Sequence, residues 1–343
     1  MITLLSKKYL LSVFLIFLFF SSCNKKITYE KNESSGTALK VITTLFPLYD
    51  FSKEVGKDKV QVSLLLPPGV EAHGYEPAPQ DIVRIENADV FVYTGKYMEV
   101  WAGKILSGIA NSNLVIADTS TGIILTDHGK DGHHQHETKH SPDAHANNTH
   151  AAAHQYHQNQ HGSKDPHFWL DPVRAQTMIN TIAGHFSKAD PLHETVYKQN
   201  ARDYNDKLAA LDKKLKNTFS NCRHNVIVCG GHFVFGYFVT RYNLTHISPY
   251  SGFSPNSEPT AKNIAELIKT MRTYGIQHIF YEELLEPRTA KIIAEETGAK
   301  MLLLHGAHNI SKKELSDGIT YLDIMQANLE NLKTGLEYVP AGK

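Results

Sequence analysis

Cysteine is scarce, with three in 343 residues, too few for the disulfide-dense scaffold of a small secreted domain. One of them, Cys23, sits just after an apolar leader. Cys222 and Cys229 remain, either as a disulfide pair or as two packed thiols. An excess of either charge is also missing, since 35 Lys and Arg balance 35 Asp and Glu. A neutral chain does not offer the basic surface that a nucleic-acid partner requires. Beyond the leader, no apolar run is long enough to cross a bilayer. Histidine, by contrast, is plentiful, with twenty residues.

Lys7 and Lys8 precede the run "YLLSVFLIFLFF", which stops at Ser21-Ser22-Cys23. A basic start, a short apolar core and small residues at its end predict a secretory signal over residues 1–22 rather than a spanning helix. The polar stretch that follows Cys23, to residue 39, reads as a tether.

From residue 40 onward, apolar runs bounded by turn residues alternate with helical patterns. "LKVITTLF", "VQVSLLLP", "DVFVYTG" and "LVIADTS" read as buried strands, with "PAPQDIVRIENA" and "MEVWAGKILSGIAN" as helices between them. The rhythm returns in "NVIVCGG", "IQHIFYEE" and "AKMLLL", separated by the helical "EPTAKNIAELIKTMRTYG" and "EPRTAKIIAEETG". Alternation of this kind predicts an α/β fold with mostly parallel sheets in two lobes, over residues 40–188 and 221–343. Between them, residues 189–220 carry no glycine after Asp190-Pro191, and Tyr197, Tyr204, Leu208, Leu211 and Leu215 keep one stripe. That pattern predicts one long linking helix. Residues 127–164 break the rhythm: ten histidines with almost no large apolar residue predict a disordered insertion within the first lobe.

Outside the insertion, histidines recur in loops that follow strand-like runs. His73 lies in "PPGVEAHGYEP", His167 in "DPHFWLDP", His232 in "GGHFVFGYF", and His305 and His308 in "LLLHGAHNIS". Ligands of open parallel sheets bind beyond the carboxyl ends of strands, where such loops gather. Neutral imidazoles converging there make a site for a borderline divalent ion such as Zn2+.

The motifs "VITTLFPLYDF", "LLPPGVEAHGYEPAPQDI", "DPHFWLDP", "HFVFGYFVTRYNL", "SEPTAKNIAELI", "IAEETGAK" and "YLDIMQANLENL", in this order, extend over nearly all of the chain after the leader. The chain resembles the zinc- and manganese-specific solute-binding proteins of bacterial ABC importers, the high-affinity zinc uptake family. The resemblance implies two α/β lobes joined by one rigid helix, with the metal in the cleft between them. It implies a Zn2+ cargo, with Mn2+ as the runner-up, an ABC permease as partner, and a monomer. It further implies a lipid on Cys23, anchoring the exported protein to the periplasmic or surface side of a bacterial membrane.

By motif, His73, His167 and His232 are the implied ligands. Family members place a carboxylate in the loop after the last strand, but here no Asp or Glu occurs before Glu314. His308 stands at the register of the zinc-type Glu and is preferred as fourth ligand, with His305 or water as alternatives. Three or four imidazoles favour Zn2+, because Mn2+ prefers oxygen-rich shells. Metal-bound imidazoles donate their other N–H to a carboxylate or carbonyl, so Asp165, Asp171 and Glu71 are the expected orienting groups. Two other functions fit parts of this pattern. A zinc hydrolase needs a general base beside the ligands, for which Glu71 is the nearby carboxylate. A metal-binding adhesin or storage protein would bind many equal ions rather than one dominant ion.

Overall fold

The computed structural model describes residues 38–126, 164–250 and 259–340. The leader, Cys23, the tether and nearly all of the histidine-rich insertion lie outside these residues. The first lobe is built on strands β1 (Leu39–Thr43), β2 (Val60–Leu64), β3 (Val90–Tyr93) and β4 (Val115–Asp118), all parallel, in the order β2-β1-β3-β4. Helices α1 (Phe46–Gly56), α2 (Pro79–Glu86) and α3 (Ala102–Leu106) fall between them. The period of two is visible in the cores: Val41, Val90 and Val92 face the main core, while Ile42 and Phe91 face a smaller one with Leu65, Ile85 and Ala88.

Helix α4 (Pro172–Ala189) begins where Asp171 accepts the N–H of Val173 at 2.9 Å, an N-cap ahead of Pro172. A 3-10 turn over Pro191–His193 then leads into the linking helix α5 (Glu194–Phe219). Its 26 residues span about 39 Å at 1.5 Å per residue. Tyr197, Tyr204, Leu208, Leu211 and Leu215 are all buried on its inner face.

The second lobe repeats the plan with β5 (Val226–Val228), α6 (Gly236–Tyr242), β6 (Thr245–Ile247), α7 (Ala261–Tyr274), β7 (His278–Tyr281), α8 (Arg288–Thr297) and β8 (Lys300–Leu303). Parallel pairs β5-β6 and β7-β8 are joined by a single parallel bridge between Cys229 and Phe280. Helices α9 (Lys312–Asp317) and α10 (Tyr321–Gly335) return the chain toward the first lobe. The main core runs through both lobes and takes in α1, α4, α5 and α10. Cys222 and Cys229 are free thiols, and burial pushes Cys229 up to about 12. Among the described residues no helix is long and apolar enough to cross a membrane.

Candidate metal centre

His73 lies in the loop between β2 and α2. Glu71 shapes this loop by accepting the backbone N–H groups of His73 and Gly74, at 2.8 and 2.9 Å. It therefore fixes the loop's main chain, and not the ring as the sequence suggests. His167 sits just before the 3-10 turn Phe168–Leu170 and is fully buried. Asp165 Oδ1 accepts its backbone N–H at 2.9 Å and lies 2.8 Å from its Nδ1. A carboxylate only accepts, so Nδ1 carries the proton and Nε2 presents its lone pair. Asp171, expected to share this task, does not reach His167. The 3-10 turn carries it to the N-cap of α4, where Arg174 and Arg241 pair with it.

His232 follows β5 and is buried. Its Nδ1 lies 2.5 Å from Glu282 Oε2, although without the alignment of a hydrogen bond. Gly231 makes this approach possible, since a Cβ there would stand 2.6 Å from Glu282 Oε1. His308 follows β8, past Ala307 in the left-handed region at φ 56°. Its Nδ1 lies 3.4 Å from Glu283 Oε1, leaving a buried Nε2 with no partner among the described residues. Burial works to raise Glu283, but the His305 and His308 rings overcome it and hold the carboxyl at about 2.

The rings converge. His73 Nε2 is 3.1 Å from His167 Nε2, and ring centroids lie 5.3 Å apart for His73–His308 and 5.8 Å for His73–His232. One nitrogen each from His73, His232 and His308 falls within 4.8 Å of the others. Nitrogens on a tetrahedral zinc, at 2.0–2.1 Å from the ion, are about 3.4 Å apart. The His73–His167 pair thus already stands near that spacing, and the second-lobe rings need to close by at most about 1.4 Å. Burial, then the neighbouring imidazoles, depress His73 far below the usual histidine range, so its ring is neutral and ready to ligate. His305 is turned away: its Nδ1 accepts the Ala307 N–H at 2.9 Å, and Asn328 holds its backbone on both sides.

Glu282 and Glu283 escaped the sequence reading, though a signal existed, because they are the two residues directly after β7 in "HIFYEE". One HExxH string does occur, at residues 136–140, but it falls in the insertion, outside the described residues.

The profile of a family described as "Zinc-uptake complex component A periplasmic" matches residues 41–335. The chain is 34% identical over 320 residues to the high-affinity zinc uptake system protein ZnuA of Bacillus subtilis, covering 93% of this chain and 94% of that one. It is 34% identical over 331 residues to the zinc-binding protein AdcA of Streptococcus pyogenes, of which it spans 61% and which covers 96% of this chain. Among solved structures, the Zn(II)-bound ZnuA-like domain of Streptococcus pneumoniae AdcA matches with a TM-score of 0.70 at 28% identity, over 88% of this chain and 99% of that one. Motif order, two parallel-sheet lobes on one long helix and these likenesses agree: the chain belongs to the zinc-uptake component A family of solute-binding proteins.

Proposed function

We propose that this protein captures one Zn2+ ion between its lobes through His73, His167, His232 and His308, and presents it to an ABC permease while tethered to the membrane by a lipid on Cys23. Convergence of four largely buried imidazoles with no carboxylate among them carries the reading, since that donor set suits zinc and not manganese. His73, His167 and Glu71 come from the first lobe, and His232, His308, Glu282 and Glu283 from the second, so zinc bridges the lobes. The ion is cargo, and the rings hold it without activating a water. Glu71 has both carboxylate oxygens engaged by backbone N–H groups, which argues against a hydrolytic base there.

Metal analysis of protein purified without added metal, paired with zinc titration of single His→Ala variants, tests this. Alanine at 73, 167, 232 or 308 should each remove the tight equivalent, while alanine at 305 should leave it. Retention of tight binding after loss of any two of the four rings would refute the assignment.

A further inference from the structure

Two consecutive second-lobe residues at the start of α6, Gly236 and Tyr237, close on the group that orients His167. A Cβ at Gly236 would stand 2.7 Å from Asp165 Oδ2, so only glycine leaves room for that carboxylate. The Tyr237 hydroxyl donates to the Asp165 carbonyl at 2.7 Å and accepts the Thr126 N–H at 3.1 Å. Asp165 N–H in turn donates to the Thr126 carbonyl at 3.1 Å. Thr126 and Asp165 are the two roots of the histidine-rich insertion, and the one hydroxyl ties them together. Tyr237 itself is held by burial and by the Arg174 guanidinium 4.5 Å over its ring.

We propose that Gly236 and Tyr237 are positioning residues for the metal centre, acting across the lobe boundary through Asp165 to keep the His167 proton on Nδ1 and its Nε2 lone pair facing His73. The inference rests on the reading of His167 as a zinc ligand. Its physical content is that a neutral imidazole has one N–H, and the carboxylate decides which nitrogen keeps it. A carboxylate turned out of line or pushed beyond about 3.2 Å loses the hydrogen bond it makes at 2.8 Å. The second lobe thus contributes to the site beyond its own two rings, by setting the basicity of a first-lobe ring.

Nitrogen-15 NMR of the zinc-free protein reports the His167 tautomer, and competition titration reports zinc affinity. Tyr237→Phe keeps the ring and removes only the hydroxyl, while Gly236→Ala adds one methyl and raises helix propensity. Both should populate the Nε2–H tautomer of His167 and weaken zinc by about tenfold. A purely structural role would lower stability and leave the tautomer alone. An unchanged tautomer in Tyr237→Phe overturns the inference, whatever becomes of Gly236→Ala. Undiminished affinity in His167→Ala instead overturns the underlying ligand assignment, so the two failures are separable.

Discussion

Two carboxylates face metal-site rings with unequal geometry, and this predicts unequal losses when each is neutralised. Asp165 has a side chain 2% exposed, accepts two N–H groups of one residue at 2.8 and 2.9 Å, and is aligned to both. Glu282 has a side chain 14% exposed and approaches His232 Nδ1 at 2.5 Å without alignment. Removing such an outer partner of a metal-bound histidine weakens binding by about 10- to 100-fold, or roughly 1.4 to 2.7 kcal/mol. Asp165→Asn should fall near the upper figure, because a buried and doubly bonded acceptor gains most from its charge. Glu282→Gln should fall near the lower one, because partial exposure screens it. Competition of each purified variant against a chromogenic zinc chelator at fixed pH measures both. If Glu282→Gln loses as much affinity as Asp165→Asn, burial and alignment are not what sets these rings, and the reasoning fails.

Asp50 offers a test through stability. Burial raises its carboxyl to about 6, against the opposing pull of the Tyr321 N–H and the Tyr204 hydroxyl. A raised folded-state value stabilises fully below the unfolded 3.8 and is lost as pH climbs through about 6. Asp50→Asn should therefore match the parent near pH 4 and exceed it by roughly 3 kcal/mol at pH 8 in urea unfolding; a gap independent of pH contradicts this. Zinc at a thousandfold excess over its Kd should add about 4 kcal/mol, raising the melting temperature by roughly 6 °C, and a chelator should reverse the shift. Deleting residues 128–161 should remove several weak zinc equivalents and spare the tight one; loss of the tight one would place a ligand in the insertion. Zinc capture should weaken on acidification, and because burial depresses His73, the weakening should set in below the free-histidine value of about 6.5.

Much of the architecture is legible in the sequence because its signals are periodic. The stripe from Tyr197 to Leu215 is a helix buried along one face, and the apolar runs before the loops of His73, His232 and His308 are parallel strands, whereas among the described residues no strand leads into His167. Helix α4 is quieter: Ala175 and Ala183 dilute its inner face, and it directly follows a motif that draws the eye to His167. The linking helix begins four residues after Asp190, because Pro191–His193 forms a 3-10 turn first. Ligand candidates were visible as histidines in loops, but their partners depend on which way the chain turns. Asp171 is as near to His167 in sequence as many orienting groups are, yet the Phe168–Leu170 turn faces it the other way. Glu282 and Glu283 gain their meaning from strand order, which places the end of β7 beside those of β5 and β8. Between His305 and His308 the chain takes a left-handed step at Ala307, a conformation that the two intervening letters do not announce.

The segment carrying His308 is bound to the lobe it does not belong to. Phe46 N–H donates to the His308 carbonyl, Asn309 Nδ2 donates to the carbonyls of Pro67 and Val70, and Gly69 N–H donates to Ile310. Trp169 Nε1 adds a fifth hydrogen bond, to the Gly306 carbonyl. The backbone of His232 itself makes no such bond to the opposite side among the described residues; its nearest tie lies five residues on, where the Tyr237 hydroxyl donates to the Asp165 carbonyl. Under the proposed four-ring site, parting the halves would therefore strain the His232 position before that of His308, leaving one coordination position open to a donor atom of an acceptor.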